Sequence, residues 1–216
     1  DAAADVAEID AASYDAIADD WVPRADVVLV SAPIDATVLE VRYPGVDARV
    51  LPDSAPHVRD ADDAPPVDLL FVGELDRQPY RDGARWLDDE VVPRLQSRLG
   101  APVRVAHADA RSAPCYRATT VVVVPLRAGG GTRAAILEAF ANRRAVVSTT
   151  CAAYGLDVLD GVHLVLADSA DDFAAGCARL LEDRTMRGAL VDAAFEVAIE
   201  HARPRVVSLV ADLVAG

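Results

Sequence analysis

The chain has 216 residues, enough for one large domain or two small ones. Its 52% hydrophobic content excludes global disorder, and with aromatics at only 5% the core must be built from Val, Leu, Ala and Ile. A formal charge of −14, with Arg as the only Lys/Arg type, argues against nucleic acid and against an anionic membrane surface, although it leaves room for a local basic pocket.

The sequence has no run of about eighteen apolar residues, so no transmembrane segment is expected. It opens Asp1-Ala-Ala-Ala-Asp-Val-Ala-Glu without a charged-then-apolar signal segment, and a cytoplasmic location is expected. Cys115, Cys151 and Cys177 are odd in number and widely spaced, which fits reduced thiols. His57, His107, His163 and His201 are scattered and give no metal-ligand spacing, so no metal is expected.

Residues 9–22 read as a helix, with Tyr14, Ile17 and Trp21 at helical spacing. Ala25–Val30 reads as a buried strand. Ser31 then caps a helix that has Pro33 in its first turn and Val38, Leu39 and Val41 on its apolar face. Tyr43-Pro-Gly breaks it, and Ala48–Leu51 is a short strand. Residues 52–67 hold four prolines and four aspartates, the composition of a linker. The pattern then restarts. Val67–Val72 is a strand, Gly73–Gly83 a loop, and Ala84–Leu99 a long helix that Pro93 should kink or interrupt. Val103–Ala106 is a strand, Ala113–Ala118 a short helix and Val121–Val124 a strand. Ala145–Thr149 and Val162–Ala167 are further strands, Asp171–Leu181 a helix, and segments near 184–200 and 204–214 close the chain as helices. Near-continuous apolar strands alternating with helices predict an α/β fold, a parallel sheet with helices on both faces, plus a small N-terminal βα annex.

Between Val121 and Phe140 lies the stretch richest in chemistry. A buried strand ends at Pro125. Gly129, Gly130 and Gly131 follow, and Thr132 then caps a helix bearing Ile136, Leu137, Ala139 and Phe140. A strand, a glycine loop and a helix N-terminus make an anion site from backbone N–H groups and the helix dipole, flanked here by Arg127 and Arg133. A tight strand-to-helix turn without a ligand fits the glycines equally well. Loops Gly73–Gly83, Leu126–Thr132 and Thr150–Leu156 should share the carboxyl edge of the sheet, where ligands bind in such folds. Asp76 and Asp82 read as residues that cap or solvate the loop. Cys151, His107 and Tyr154 read as packing residues near that edge.

Phe71-Val-Gly73, Pro79, Asp82-Gly-Ala-Arg-Trp-Leu87, Val92-Pro-Arg-Leu95, Tyr116-Arg-Ala118, Val123-Val-Pro-Leu126, Gly129-Gly-Gly-Thr-Arg133, Ile136-Leu-Glu-Ala139, Ala145–Thr149, Gly155-Leu156 and Asp171-Asp-Phe173 occur in one order and at set separations. In that order they resemble the nucleotide-sugar-binding half of a GT-B glycosyltransferase of family 4. The resemblance covers residues 67 to about 200. Residues 1–55 look like a remnant of the preceding acceptor-side domain, 56–66 a linker and 67–216 the nucleotide-sugar-binding domain.

The resemblance implies retaining transfer of a hexose from a nucleoside-diphosphate sugar, with no cofactor and no metal required. Gly130, Gly131 and Thr132 would cradle the diphosphate, and Gly73 would let the first loop approach it. Glu138 would accept hydrogen bonds from the ribose hydroxyls, a task that suits a carboxylate. Arg77, Arg81 or Arg133 would stabilise the leaving diphosphate.

The departures are specific. Gly130 stands where many members carry the first glutamate of a Glu-x7-Glu pair, as in the glycine-rich branch. Ala135 replaces a lysine, Tyr80 an asparagine and Tyr154 a glutamate, and one αβ unit is missing between Leu99 and Tyr116. Most of the acceptor half is absent, so activity would need a missing domain or a partner chain. Two functions follow as expectations: a donor domain not active alone, or a non-catalytic GT-B-like scaffold that has lost its pocket. A third, weaker reading is another nucleotide-binding α/β protein such as a sugar-nucleotide epimerase.

Overall fold

The structure, a computed structural model, describes residues 15–52, 66–109, 116–128, 133–202 and 206–211. The chain divides into two compact units, Asp1–Pro52 and Asp53–Gly216.

In the smaller unit, helix α1 (15–21) and a 3-10 turn at Val22–Arg24 precede strand β1 (Val28–Val30), helix α2 (Pro33–Arg42) and strand β2 (Ala48–Val50). The strands pair in parallel, Val28 opposite Ala48 and Val30 opposite Val50. Ala32, not Ser31, is the N-cap of α2, and Pro33 takes the first helical position, where its missing N–H costs nothing. Helix α2 packs through Ala32 and Ala36, whereas Val38 and Val41 face outward at 56% and 77% exposure. Of the expected apolar face only Leu39 is half-buried. Trp21, Leu29 and Ile34 are exposed as well, because two strands and one long helix have too little surface to cover them.

The larger unit holds a five-stranded sheet in the order β4-β3-β5-β6-β7, every pair parallel. Its strands are β3 (Val67–Val72), β4 (Val105–Ala108), β5 (Thr119–Val124), β6 (Ala145–Ser148) and β7 (Val165–Leu166). Its helices are α3 (Tyr80–Trp86), α4 (Val92–Leu99), α5 (Arg133–Ala141), α6 (Thr150–Ala153), α7 (Ala170–Glu182), α8 (Arg184–Glu200) and α9 (206–211). Helices α4 and α7 pack together, as do α5 and α8, so the sheet is covered on both sides. The central strands carry unbroken apolar runs where both faces are buried: Leu69–Val72, Val121–Val124 and Ala145–Val147 are each at most 3% exposed.

Two element readings are revised. The helix after the first loop starts at Tyr80, not Ala84, on polar residues that carry no periodicity. The regular α-helix is interrupted ahead of Pro93, as expected. The segment Leu87–Val91 takes a π turn, and Pro93 then lies in the first turn of α4, where no intrahelical N–H is needed. Strand β7 is shorter than expected because Val162 and His163 belong to a turn, closed by Asp160 accepting from the Leu166 N–H at 2.8 Å. Half of the expected helix at Ala113–Ala118 lies outside the described residues, as does the segment 53–65; Tyr116–Ala118 form a turn into β5.

Candidate functional site

The chain runs from β3 outward to β4 and returns past β3 to β5. Its path therefore reverses between β3 and β5, and the crevice above their carboxyl ends is where such a sheet takes a ligand. Gly73 leaves β3 there, Pro125, Leu126 and Arg127 leave β5, and α5 begins on the far side of the glycine loop.

Gly73 is buried, and its surroundings are already filled. Its N–H donates to the Ala108 carbonyl at 3.0 Å. A Cβ built on it would stand 2.8 Å from Cε1 and 3.0 Å from Cγ of Tyr80, with Cδ1 nearer still. The Tyr80 ring, packed against the core, thus occupies the room that glycine leaves. Gly83 plays the same part for α3: a Cβ there would meet Leu126 Cδ2 at 2.8 Å and the Pro125 carbonyl at 3.0 Å. Helix α3 lies directly against the exit of β5 because this position has no side chain.

Arg77, Arg81 and Arg127 at this edge each have a partner. Arg77 is 71% exposed and pairs with Glu74 at 2.9 Å. Arg81 donates to the Asp76 carbonyl at 2.5 Å. Arg127 forms a bidentate pair with Asp82, Nε to Oδ2 at 3.1 Å and Nη2 to Oδ1 at 2.9 Å, with its guanidinium 5.6 Å from the centre of the Trp86 ring. Asp82 is thus an ion-pair partner rather than a loop cap. Arg133 starts α5. Gly130, Gly131 and Thr132, like Gly129, lie outside the described residues.

Glu138 sits in the second turn of α5, half-buried. Its Oε2 accepts from the Tyr116 hydroxyl at 2.7 Å. Tyr116 is 1% exposed. Burial pushes the Glu138 carboxyl above its ordinary range, and the Tyr116 hydrogen bond opposes that shift. Burial together with the neighbouring carboxylate pushes the Tyr116 phenol up, so it remains a donor. Side chains tilt toward the N-terminus of their helix, and α5 starts at the carboxyl edge. Glu138 is recognisable from the sequence, but Tyr116 as its partner is not; the only available signal is a tyrosine preceding an apolar strand.

Beside the crevice, Thr149 caps α6, accepting from the Ala152 N–H at 3.2 Å and donating to the Leu126 carbonyl. Asp168 accepts from the Thr150 N–H and hydroxyl at 2.8 and 2.7 Å. These contacts tie the exits of β5, β6 and β7 into one rim. Tyr154 stands 48% exposed after α6, and His107 on β4 pairs with Asp88 at 3.0 Å, edge-on to Phe71. Among the described residues no cluster of His, Cys, Asp or Glu could hold a metal ion, and no helix is long and apolar enough to cross a membrane.

The comparisons agree with this architecture. Pneumococcal O-GlcNAc transferase GtfA, solved with UDP and GlcNAc, is similar with a TM-score of 0.68 at 14% identity, over 89% of this chain and 45% of its own. A variant of S. aureus TarM, solved with fondaparinux, alpha-GlcNAc-glycerol and UDP, gives 0.69 at 13% identity, over 89% and 44%. Anabaena HepE, solved with UDP and glucose, gives 0.65 at 16% identity, over 93% and 66%. Such identities show the fold alone, a GT-B glycosyltransferase fold whose C-terminal domain matches the parallel sheet and its two helical layers. The chain spans less than half the length of the first two. No curated protein matches it. The family model described as glycosyl transferases group 1 matches residues 46–183, more than half of the chain, and the chain therefore belongs to that family.

Proposed function

We propose that the larger unit binds a nucleoside-diphosphate sugar as the donor half of a retaining hexosyltransferase of family 4 type. The observation that carries this reading is Glu138, a half-buried carboxylate in the second turn of the helix leaving the β3/β5 crevice, with one oxygen held by Tyr116. A carboxylate so held has acceptor capacity left for a ribose hydroxyl. In this reading the diphosphate lies over Gly130, Gly131 and Thr132, and Arg77, Arg81 and Arg133 supply the positive charge that the leaving group needs; no metal is invoked. UDP is the natural first probe, because GtfA, TarM and HepE were each solved with it.

Glycosyl transfer also needs an acceptor site. The described part of the smaller unit offers one two-stranded sheet and an apolar surface at Trp21, Leu29, Ile34, Val38 and Val41. It reads as part of an acceptor-side domain completed by further chain or by a partner, so these 216 residues are not active alone.

A second reading, a non-catalytic scaffold, is favoured by one observation: Tyr80 fills the room at Gly73, and the Gly73 N–H is already bonded. An NMR titration of the full chain with UDP and GDP separates the two. The donor reading expects saturable shifts at Gly73, Arg127 and the first turns of α5; no saturable shift at millimolar nucleotide supports the scaffold.

A further inference from the structure

We infer that Tyr80 is a steric gate on the donor crevice, its ring occupying the space over Gly73 that a nucleoside diphosphate would enter. The inference rests on the donor-site reading for the ligand's class and place; the obstruction is a matter of geometry. Gly73 stands at the carboxyl end of β3, beside the point where the sheet reverses its order. It is buried although glycine has no side chain to bury, and what covers it is the Tyr80 ring, closer than a Cβ at position 73 would tolerate. Tyr80 is the first residue of α3, half-buried and packed against the core. The helix behind it is fixed, because Gly83 brings α3 onto Pro125 and Leu126, and Asp82 binds Arg127. A ligand approaching Gly73 must therefore move the ring rather than the helix.

The consequence for binding is quantitative. A site that is open only a fraction of the time binds with an apparent Kd raised by the inverse of that fraction. If the ring leaves its place about one time in ten, removing it tightens binding by about tenfold. Shape alone is responsible, so the phenolic oxygen is irrelevant to the effect.

The test is calorimetric titration of the full chain with UDP, comparing wild type, Tyr80→Ala and Tyr80→Phe. Tyr80→Ala is expected to bind about tenfold more tightly than wild type, or to bind where wild type does not, while Tyr80→Phe follows wild type. Adding Gly73→Ala to Tyr80→Ala returns a methyl group to the vacated space and should cancel part of the gain. A ring with a purely structural role would lower stability on removal without tightening binding. If circular dichroism shows Tyr80→Ala to be unfolded, Tyr80→Asn carries the same expectation with a smaller opening. Wild type binding UDP with Tyr80→Ala no tighter overturns the gate and leaves the donor reading standing. Neither protein binding overturns both. Tyr80→Phe binding as tightly as Tyr80→Ala also overturns the gate.

Discussion

Arg127, leaving the end of β5, is held by Asp82 on α3 through a bidentate pair and lies over Trp86, which meets Phe173 of α7 edge-on at 5.3 Å. One side chain thus joins the rim of the crevice to the helical layer beneath it. Both members of the pair are somewhat under half exposed, at 45% and 42%, so solvent screens the attraction. Asp82→Asn should lower stability by no more than about 1 kcal/mol, and Arg127→Ala by somewhat more because the stacking on Trp86 is lost as well. Urea unfolding of the two variants, compared at equal slope, checks the order.

Glu138 and Tyr116 make a pH prediction. Burial raises the Glu138 carboxyl and the Tyr116 hydrogen bond lowers it. A raised folded-state pKa contributes stability that is fully present below the unfolded value and is lost as pH rises through the folded value. Glu138→Gln should therefore be more stable than wild type at pH 7, with the advantage vanishing below about pH 4.5, the ordinary carboxyl value. For ligand binding the ionised carboxylate is the form that accepts from ribose, so UDP affinity should fall as pH drops through the Glu138 pKa. Tyr116→Phe should move that midpoint upward. Urea unfolding of Glu138→Gln and a pH series of UDP titrations of Tyr116→Phe test the two claims.

Asp68 behaves in the opposite sense. Its carboxylate accepts from the Arg104 N–H at 2.8 Å and from the Arg104 guanidinium at 2.9 and 3.2 Å, which fixes the chain entering β4 against β3. Arg104 holds this carboxyl below its ordinary value. Such a group stabilises the fold above the unfolded pKa and loses that contribution as pH falls through the lower, folded one. Asp68→Asn should be less stable than wild type at neutral pH and show a flatter loss of stability below about pH 4. Equal acid limbs in the two proteins would contradict the assignment.

Legibility along the chain followed burial. Val121–Val124 and Leu69–Val72 were readable as strands because both faces are covered, which leaves runs with almost no polar residue. The helix carrying Ile136, Leu137, Ala139 and Phe140 was readable for the same reason, while the glycines and Thr132 before it lie outside the described residues. Tyr80 was not readable as a helix start, because Tyr-Arg-Asp-Gly has neither a cap nor an apolar period. Pro93 was readable as an interruption of the helix, but its form, a π turn at Leu87–Val91 that places Pro93 in the first turn of α4, was not. Val38 and Val41 have the right spacing for a buried face, but spacing does not say which body does the burying. In the site, residue types were legible and pairings were not. Tyr116 with Glu138 and Asp82 with Arg127 are brought together by the sheet order, which no local pattern records.

A donor site served by Glu138 is tested most directly by calorimetric titration of UDP into the full chain and into Glu138→Ala. Saturable binding to the wild type is expected, weakened about tenfold or more in the variant, as when a hydrogen bond to a charged group is lost. Equal affinity in the two proteins, or no binding to either at millimolar UDP, would contradict it.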